Sequence, residues 1–220
     1  MSRRVLVHMQ MTFDGFAELP DYPDPSPEAS REFWEAMWTG HWDDVDALLL
    51  GGRTYRKWAG FWPGFVDDDN EHMRSFARFS SRVEKVVFSR TLQSADWSNS
   101  RIVRGPVADE IARLRSLPGK NMVVGGGPRL VQSVLAQDLA DELYLTVYPS
   151  IIGRGKPLFR VEQDPDHDDD VVPRGVPGRH DFRLLESRTF SSGSVFLRYA
   201  TSGRNESSDQ STGSSEPRPG

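Results

Sequence analysis

The chain has 220 residues, a net charge of -5 and no cysteine. That length suits one substantial domain or two small ones, and the acidic balance gives no ground for nucleic-acid binding. The missing cysteine rules out disulfides, a thiolate nucleophile and cysteine-ligated zinc. A cytoplasmic protein is expected, with no signal peptide and no run apolar enough to span a membrane.

Residues 5–11 predict a buried strand with His8 and Gln10 as its polar members. Thr12-Phe13-Asp14-Gly15-Phe16 then turns the chain out of the sheet. Pro20, Pro23, Pro25 and Pro27 predict an extended connection. A helix follows over 28–39, with Ser26 as N-cap and Pro27 at its first position. Its inner face carries Phe33, Trp34, Met37 and Trp38, flanked by Glu32 and Glu35.

Residues 46–50 form a second strand ending in Gly51-Gly52-Arg53-Thr54-Tyr55, a glycine turn into a helix. Trp58, Phe61, Trp62 and Phe65 add aromatic bulk beside it. A helix over 70–79 turns Met73, Phe76 and Ala77 inward. Residues 84–89 and 101–104 are the third and fourth strands, and Val107, Ile111 and Leu114 mark a helix ending near Pro118-Gly119.

Met122-Val123-Val124-Gly125-Gly126-Gly127-Pro128-Arg129-Leu130 is the stretch the chain is organised around. It reads as a strand buried on both faces, a tight turn, then a helix. The glycines let a ligand approach the backbone, and Pro128 fits the first helical position. A helix start behind such a turn offers free N–H groups to an anion, often a phosphate; the bland alternative is a tight turn with no ligand. The stretch is neither GxGxxG nor GxxxxGK[ST].

Residues 142–148 alternate as a strand, 150–159 form a glycine-bearing loop, and 162–181 are expected to be a mobile acidic insertion. Strands over 182–190 and 195–200 make a terminal hairpin, and 201–220 are expected to be a disordered tail. The fold class is therefore α/β: three layers, a mostly parallel mixed sheet with helices on both faces, and a C-terminal antiparallel hairpin. Ligands in such sheets sit at the carboxyl ends of strands. Both glycine turns lie there, as do Arg53, Ser89 and Arg90, which makes a phosphate site. The five histidines show no HxxxH or HxH spacing, so no metal is expected.

Taken in order, these pieces resemble the dihydrofolate reductase-like superfamily, and within it the C-terminal reductase domain of bifunctional riboflavin-biosynthesis deaminase-reductase proteins. The resemblance rests on Asp14-Gly15, on the 48–55 run, on Val87-Phe88-Ser89-Arg90-Thr91 and on Val123 to Gly127. It continues through Glu142-Leu143-Tyr144-Leu145-Thr146, Gly153-Arg154-Gly155-Lys156-Pro157 and the hairpin, covering residues 4–200. It implies a single reductase domain over 1–200, hydride transfer from NADPH to a small heterocyclic or carbonyl/imine substrate, and a homodimer. Dihydrofolate reduction, a specialised biosynthetic reductase and a catalytically silent nucleotide binder are the alternatives.

By the same resemblance Gly125, Gly126, Gly127 and Pro128 would face the cofactor pyrophosphate, with a cis bond at Gly125–Gly126. Gly52, Arg53 and Thr54 would meet the phosphates, Ser89 and Arg90 the ribose 2′-phosphate, and Arg104 the adenine end. Family members usually carry a basic residue where this chain has Gly52, so NADPH selectivity rests on Arg90. Asp14 and Glu35, with Glu32 beside it, are the candidate acids, and Thr146 is the pocket threonine. Phe33, Trp34 and Trp38 either pave the pocket or are plain core.

Overall fold

The computed structural model describes residues 3–17, 27–38, 42–125, 127–159, 176 and 178–201, the side chains of 27–30, 37 and 38 excepted. Ser26, the proline-rich connection, the inward placement of Met37 and Trp38, the Gly125–Gly126 bond, most of the acidic insertion and the tail after Thr201 therefore lie outside the described residues.

The strands are β1 (Val5–Thr12), β2 (Val45–Gly51), β3 (Glu84–Phe88), β4 (Ser100–Val103), β5 (Asn121–Gly125), β6 (Glu142–Tyr148), β7 (Phe182–Thr189) and β8 (Val195–Thr201). The helices are α1 (Pro27–Trp38), α2 (Gly52–Phe61), α3 (Glu71–Arg82), α4 (Val107–Ser116) and α5 (Pro128–Ala136). Single 3₁₀ turns cover Trp42–Asp44 and Trp62–Phe65. One sheet runs in the order β4-β3-β2-β5-β1-β6-β8-β7, parallel from β4 to β6 and antiparallel over β8 and β7. The expected fold class is the one observed.

Strands that read as continuous apolar runs lie in the middle of the sheet, covered on both faces. Val5, Val7, Ala47, Leu49, Met122 and Val124 face α4 and α5. Leu6, Leu48, Leu50, Val123 and Tyr144 face α1, α2 and α3, where Tyr55, Phe76 and Phe79 complete the second core. The helices thus form layers on both sides of the sheet. α3 runs past the expected 79 to Arg82 because Lys85 terminates it. The buried Lys85 ammonium donates to the carbonyls of Ser80, Ser81 and Val83 and lies 4.5 Å over the Trp97 ring. The last carbonyls of a helix have no partner within it, and the Ser81 carbonyl also accepts from Ser98 and Asn99.

One carboxylate reinforces the junction between the hairpin and the parallel sheet, which the β6–β8 pairing makes. Glu142 is buried, accepts from Arg4 of the β1 approach (2.5 Å), from Arg198 of β8 (2.8 Å) and from the Tyr144 hydroxyl (2.8 Å). Burial pushes its carboxyl up, but Arg198, Tyr144 and Arg4 together overcome that and hold it below the ordinary value.

Candidate functional site

β2 and β5 are neighbours in the sheet, so the turns that leave them emerge side by side at the carboxyl edge. α2 begins at Gly52 directly after Gly51, and α5 begins at Pro128 directly after Gly127. Gly127 has φ +80, and a Cβ there would meet Thr54 Oγ1 at 2.9 Å. A Cβ on Gly125 would lie 3.0 Å from the Trp58 indole. The α2 stripe Thr54–Trp58 is thus laid against the glycine run, and only glycine lets the two come this close.

Electrostatics separate these two helix starts from the others. α3 is capped by the Asn70 side chain and carries Glu71 in its first turn. α4 carries Asp109 and Glu110 in its first turn. α2 and α5 have neither a side-chain cap nor an acidic residue in the first turn, and Arg53 and Arg129 sit there instead. Two bare, positive dipole ends meet at one place, an arrangement that favours an anion. Gly52, Arg53, Thr54, Gly125, Gly127 and Pro128 are all brought to this edge; Gly126 is outside the described residues.

The loop after β3 is built differently from expectation. Ser89 is buried and its hydroxyl accepts from the Leu92 N–H at 3.0 Å, so it holds the turn rather than facing outward. Arg104 braces the same loop. Its guanidinium donates to the carbonyls of Arg90 (2.6 Å) and Leu92 (3.0 Å). What the loop presents is Arg90, which is exposed. Gly52 is explained in the same place: a Cβ there would fall 2.8 Å from Ser89 Oγ and 2.9 Å from Ser89 Cβ. A basic side chain does not fit at that position while Ser89 stays buried against it.

The candidate acids lie in three different settings. Asp14 accepts from Thr12 Oγ1 (2.5 Å), Gly153 N–H (2.7 Å) and Ile152 N–H (3.1 Å). The Thr12 hydroxyl, helped by those N–H groups, holds its carboxyl below the usual value. An ionised, fully engaged carboxylate clasps loops; it is not poised to donate a proton. Glu35 is exposed on α1, 4.0 Å from Arg31 one turn away. Glu32 accepts from the N–H (2.6 Å) and hydroxyl (2.8 Å) of Ser191 and so docks α1 onto the hairpin. Thr146 is buried, on the helical face shared with Tyr144, opposite Gln10 in register.

Residues that sequence reasoning passed over complete the edge. Gln132, buried in α5, donates to the carbonyls of Pro157 (3.2 Å) and Leu158 (2.9 Å). It fixes the glycine-bearing loop to the helix that starts at the glycine run. A glutamine between Val131 and Val134 on an apolar helix face was the available signal. The Tyr148 hydroxyl lies 3.1 Å from Gln10 Oε1, crossing from β6 to β1.

Residues 3–196 match the model of a family described as the RibD C-terminal domain. The chain is 27% identical over 205 residues to the uncharacterised protein YyaP of Bacillus subtilis (strain 168), an alignment spanning 91% of this chain and 96% of that protein. The structure of a candidate riboflavin biosynthesis protein from Shewanella sp. PV-4 superposes with a TM-score of 0.63 at 20% identity, covering 91% of this chain and 99% of that one. The diaminohydroxyphosphoribosylaminopyrimidine deaminase/5-amino-6-(5-phosphoribosylamino)uracil reductase of Thermotoga maritima gives a TM-score of 0.54 at 16% identity, over 91% of this chain and 57% of that one. At such identities the structural likeness speaks to the fold.

Proposed function

The chain belongs to the RibD C-terminal domain family, and on that premise we propose that it is a reductase transferring hydride from NADPH to a small heterocyclic, carbonyl or imine carbon. One observation carries the proposal. Among α2 to α5, the two helix starts without a cap or an acid are the two that converge on a side-chain-free glycine ridge at the carboxyl edge of the sheet. That ridge fits a pyrophosphate, which needs close backbone approach and N–H donors.

NADPH supplies the hydride when bound. The chain's part is binding and orientation. The first-turn N–H groups of α2 and α5 hold the phosphates, with Thr54 between them. Arg90 meets the ribose 2′-phosphate as a charge-assisted partner. The clasp of Asp14 on Ile152 and Gly153 and the hold of Gln132 on Pro157 and Leu158 fix the loops that border the reacting end. Folate reduction is the weaker assignment, because neither of the two candidate carboxylates of α1 is set in a pocket: Glu32 is bonded to Ser191 and Glu35 is exposed.

The test is a fluorescence titration of the full chain with NADPH and with NADH, followed by loss of reduced-nicotinamide absorbance with candidate substrates. Micromolar NADPH binding, tighter than NADH, is expected. Absence of binding to either nucleotide would overturn the proposal, and binding with no turnover on any candidate would leave a nucleotide-binding protein instead of an enzyme.

A further inference from the structure

We propose that the substrate half of this site takes a flat, unphosphorylated aromatic or heteroaromatic molecule, held by an indole wall that runs from the end of β5 to α1. The proposal rests on the reductase assignment for its orientation and names the substrate class for the same site.

The wall is built by helical spacing. Thr54, Trp58 and Trp62 recur at every fourth position, and the Trp62 N–H donates to the Trp58 carbonyl, so the stripe continues unbroken past the end of α2. It begins polar, with Thr54 against Gly127, and turns aromatic one turn later, with Trp58 against Gly125. Trp58 and Trp62 then meet nearly at right angles, 6.3 Å apart. Trp62 and Trp34 of α1 do the same at 6.5 Å, and His72 of α3 lies parallel to Trp34 at 6.1 Å. The chain of rings therefore starts at the glycine ridge and leads away from the phosphate end.

These rings are the outer layer over the second core. Trp42, Phe76 and Phe79 lie beneath them at 3%, 4% and 5% exposure and already close it. Trp34, Trp58 and Trp62 form a partly buried second layer packed against that core. Indole faces and edges set at right angles suit another π-system, and the tight, rigid side chains cost little entropy to hold.

Charge argues against a sugar phosphate on the wall. Among the described residues, the cations of α1 and α3 nearest to it are committed elsewhere. Arg31 lies beside Glu35, Arg74 donates to the Asp68 and Asp69 carbonyls, and Arg78 pairs with Asp67. On α2, Arg56 and Lys57 are exposed and lie off the Thr54–Trp58–Trp62 stripe. The anion-binding backbone is at the Thr54 end, which the cofactor occupies.

The experiment is calorimetric titration of the full chain, saturated with NADPH, using quinazoline and ribose 5-phosphate as probes. Quinazoline should bind at least tenfold more tightly than ribose 5-phosphate. Trp62→Leu and, separately, Trp34→Leu should weaken quinazoline tenfold or more, with the NADPH affinity within twofold of the parent, and Trp62→Phe should restore most of the loss. Tighter binding of ribose 5-phosphate, or quinazoline affinity unchanged in both leucine variants, would overturn the indole wall as a substrate subsite. Because the NADPH affinity is measured on the same samples, quinazoline binding that depends on Trp62 in a chain unable to bind NADPH would uphold the wall and discard the reductase.

Discussion

Gly52 and Ser89 show how one residue choice fixes another. Gly52 opens α2, where alanine would ordinarily raise helix propensity by less than about 1 kcal/mol. Its Cβ would lie under 3 Å from both heavy atoms of a buried serine side chain, which has nowhere to swing. Gly52→Ala should therefore destabilise by about 1–3 kcal/mol, the usual scale for overpacking. Thermal unfolding of the single variant and of Gly52→Ala with Ser89→Gly checks this, since the second change should return most of the loss. With no basic residue at Gly52, the proposed function would have Arg90 discriminate between NADPH and NADH. Arg90→Ala should weaken NADPH about tenfold or more while leaving NADH within about twofold, because one charge-assisted bond to a phosphate is lost. Equal weakening of both nucleotides would remove Arg90 from the 2′-phosphate.

Between elements, the turn after β1 and the loop after β6 behave as one clasp. Phe13 N–H donates to the Ser150 carbonyl, Ala17 N–H to Lys156 and Leu158 N–H to Gly15, and Phe16 bridges Pro157. Asp14 closes it through Ile152 and Gly153. Its carboxyl is depressed below the ordinary 3.8, so the clasp is complete above that pH and is lost as pH falls through the lower folded value. Asp14→Ala should speed amide exchange at Ile152 and Gly153 without changing the shape of the rate profile between about pH 5 and 9. Disappearance of an acidic limb would make Asp14 a proton donor after all. The sequence spoke clearly about elements whose burial is uniform: the 46–50 and 122–124 runs could only be central strands, and Gly127-Pro128 could only open a helix. It was silent wherever a role depended on a partner distant in the chain. Glu32 and Glu35 look alike on a helical wheel, yet Ser191, 159 positions on from Glu32, distinguishes them. Ser89 beside Arg90 reads as a phosphate loop until Gly52 is seen pressed against it.

For the whole molecule the question is what joins a parallel sheet to an antiparallel hairpin. β6 is the shared strand, paired with β1 on one side and β8 on the other, and Glu142 at its start binds one arginine from each direction. Arg198 is three-quarters buried while Arg4 is about half exposed, so the Arg198 side carries most of the dependence. Removing the charge would leave Arg198 facing a neutral group in a poorly solvated place. Glu142→Gln should cost about 3 kcal/mol at neutral pH, at the low end for breaking a buried pair. Because the folded carboxyl is held below its ordinary 4.5, this stability is fully present above that pH and is lost as pH falls through the folded value. Urea unfolding at pH 7 and again near pH 3 should therefore show a wide gap between parent and variant that narrows in acid. A gap unchanged across that range would mean that the carboxylate contributes shape and hydrogen bonding there, and that its charge does not fasten the hairpin beyond the β6–β8 pairing and the contact of Tyr144 with Phe196.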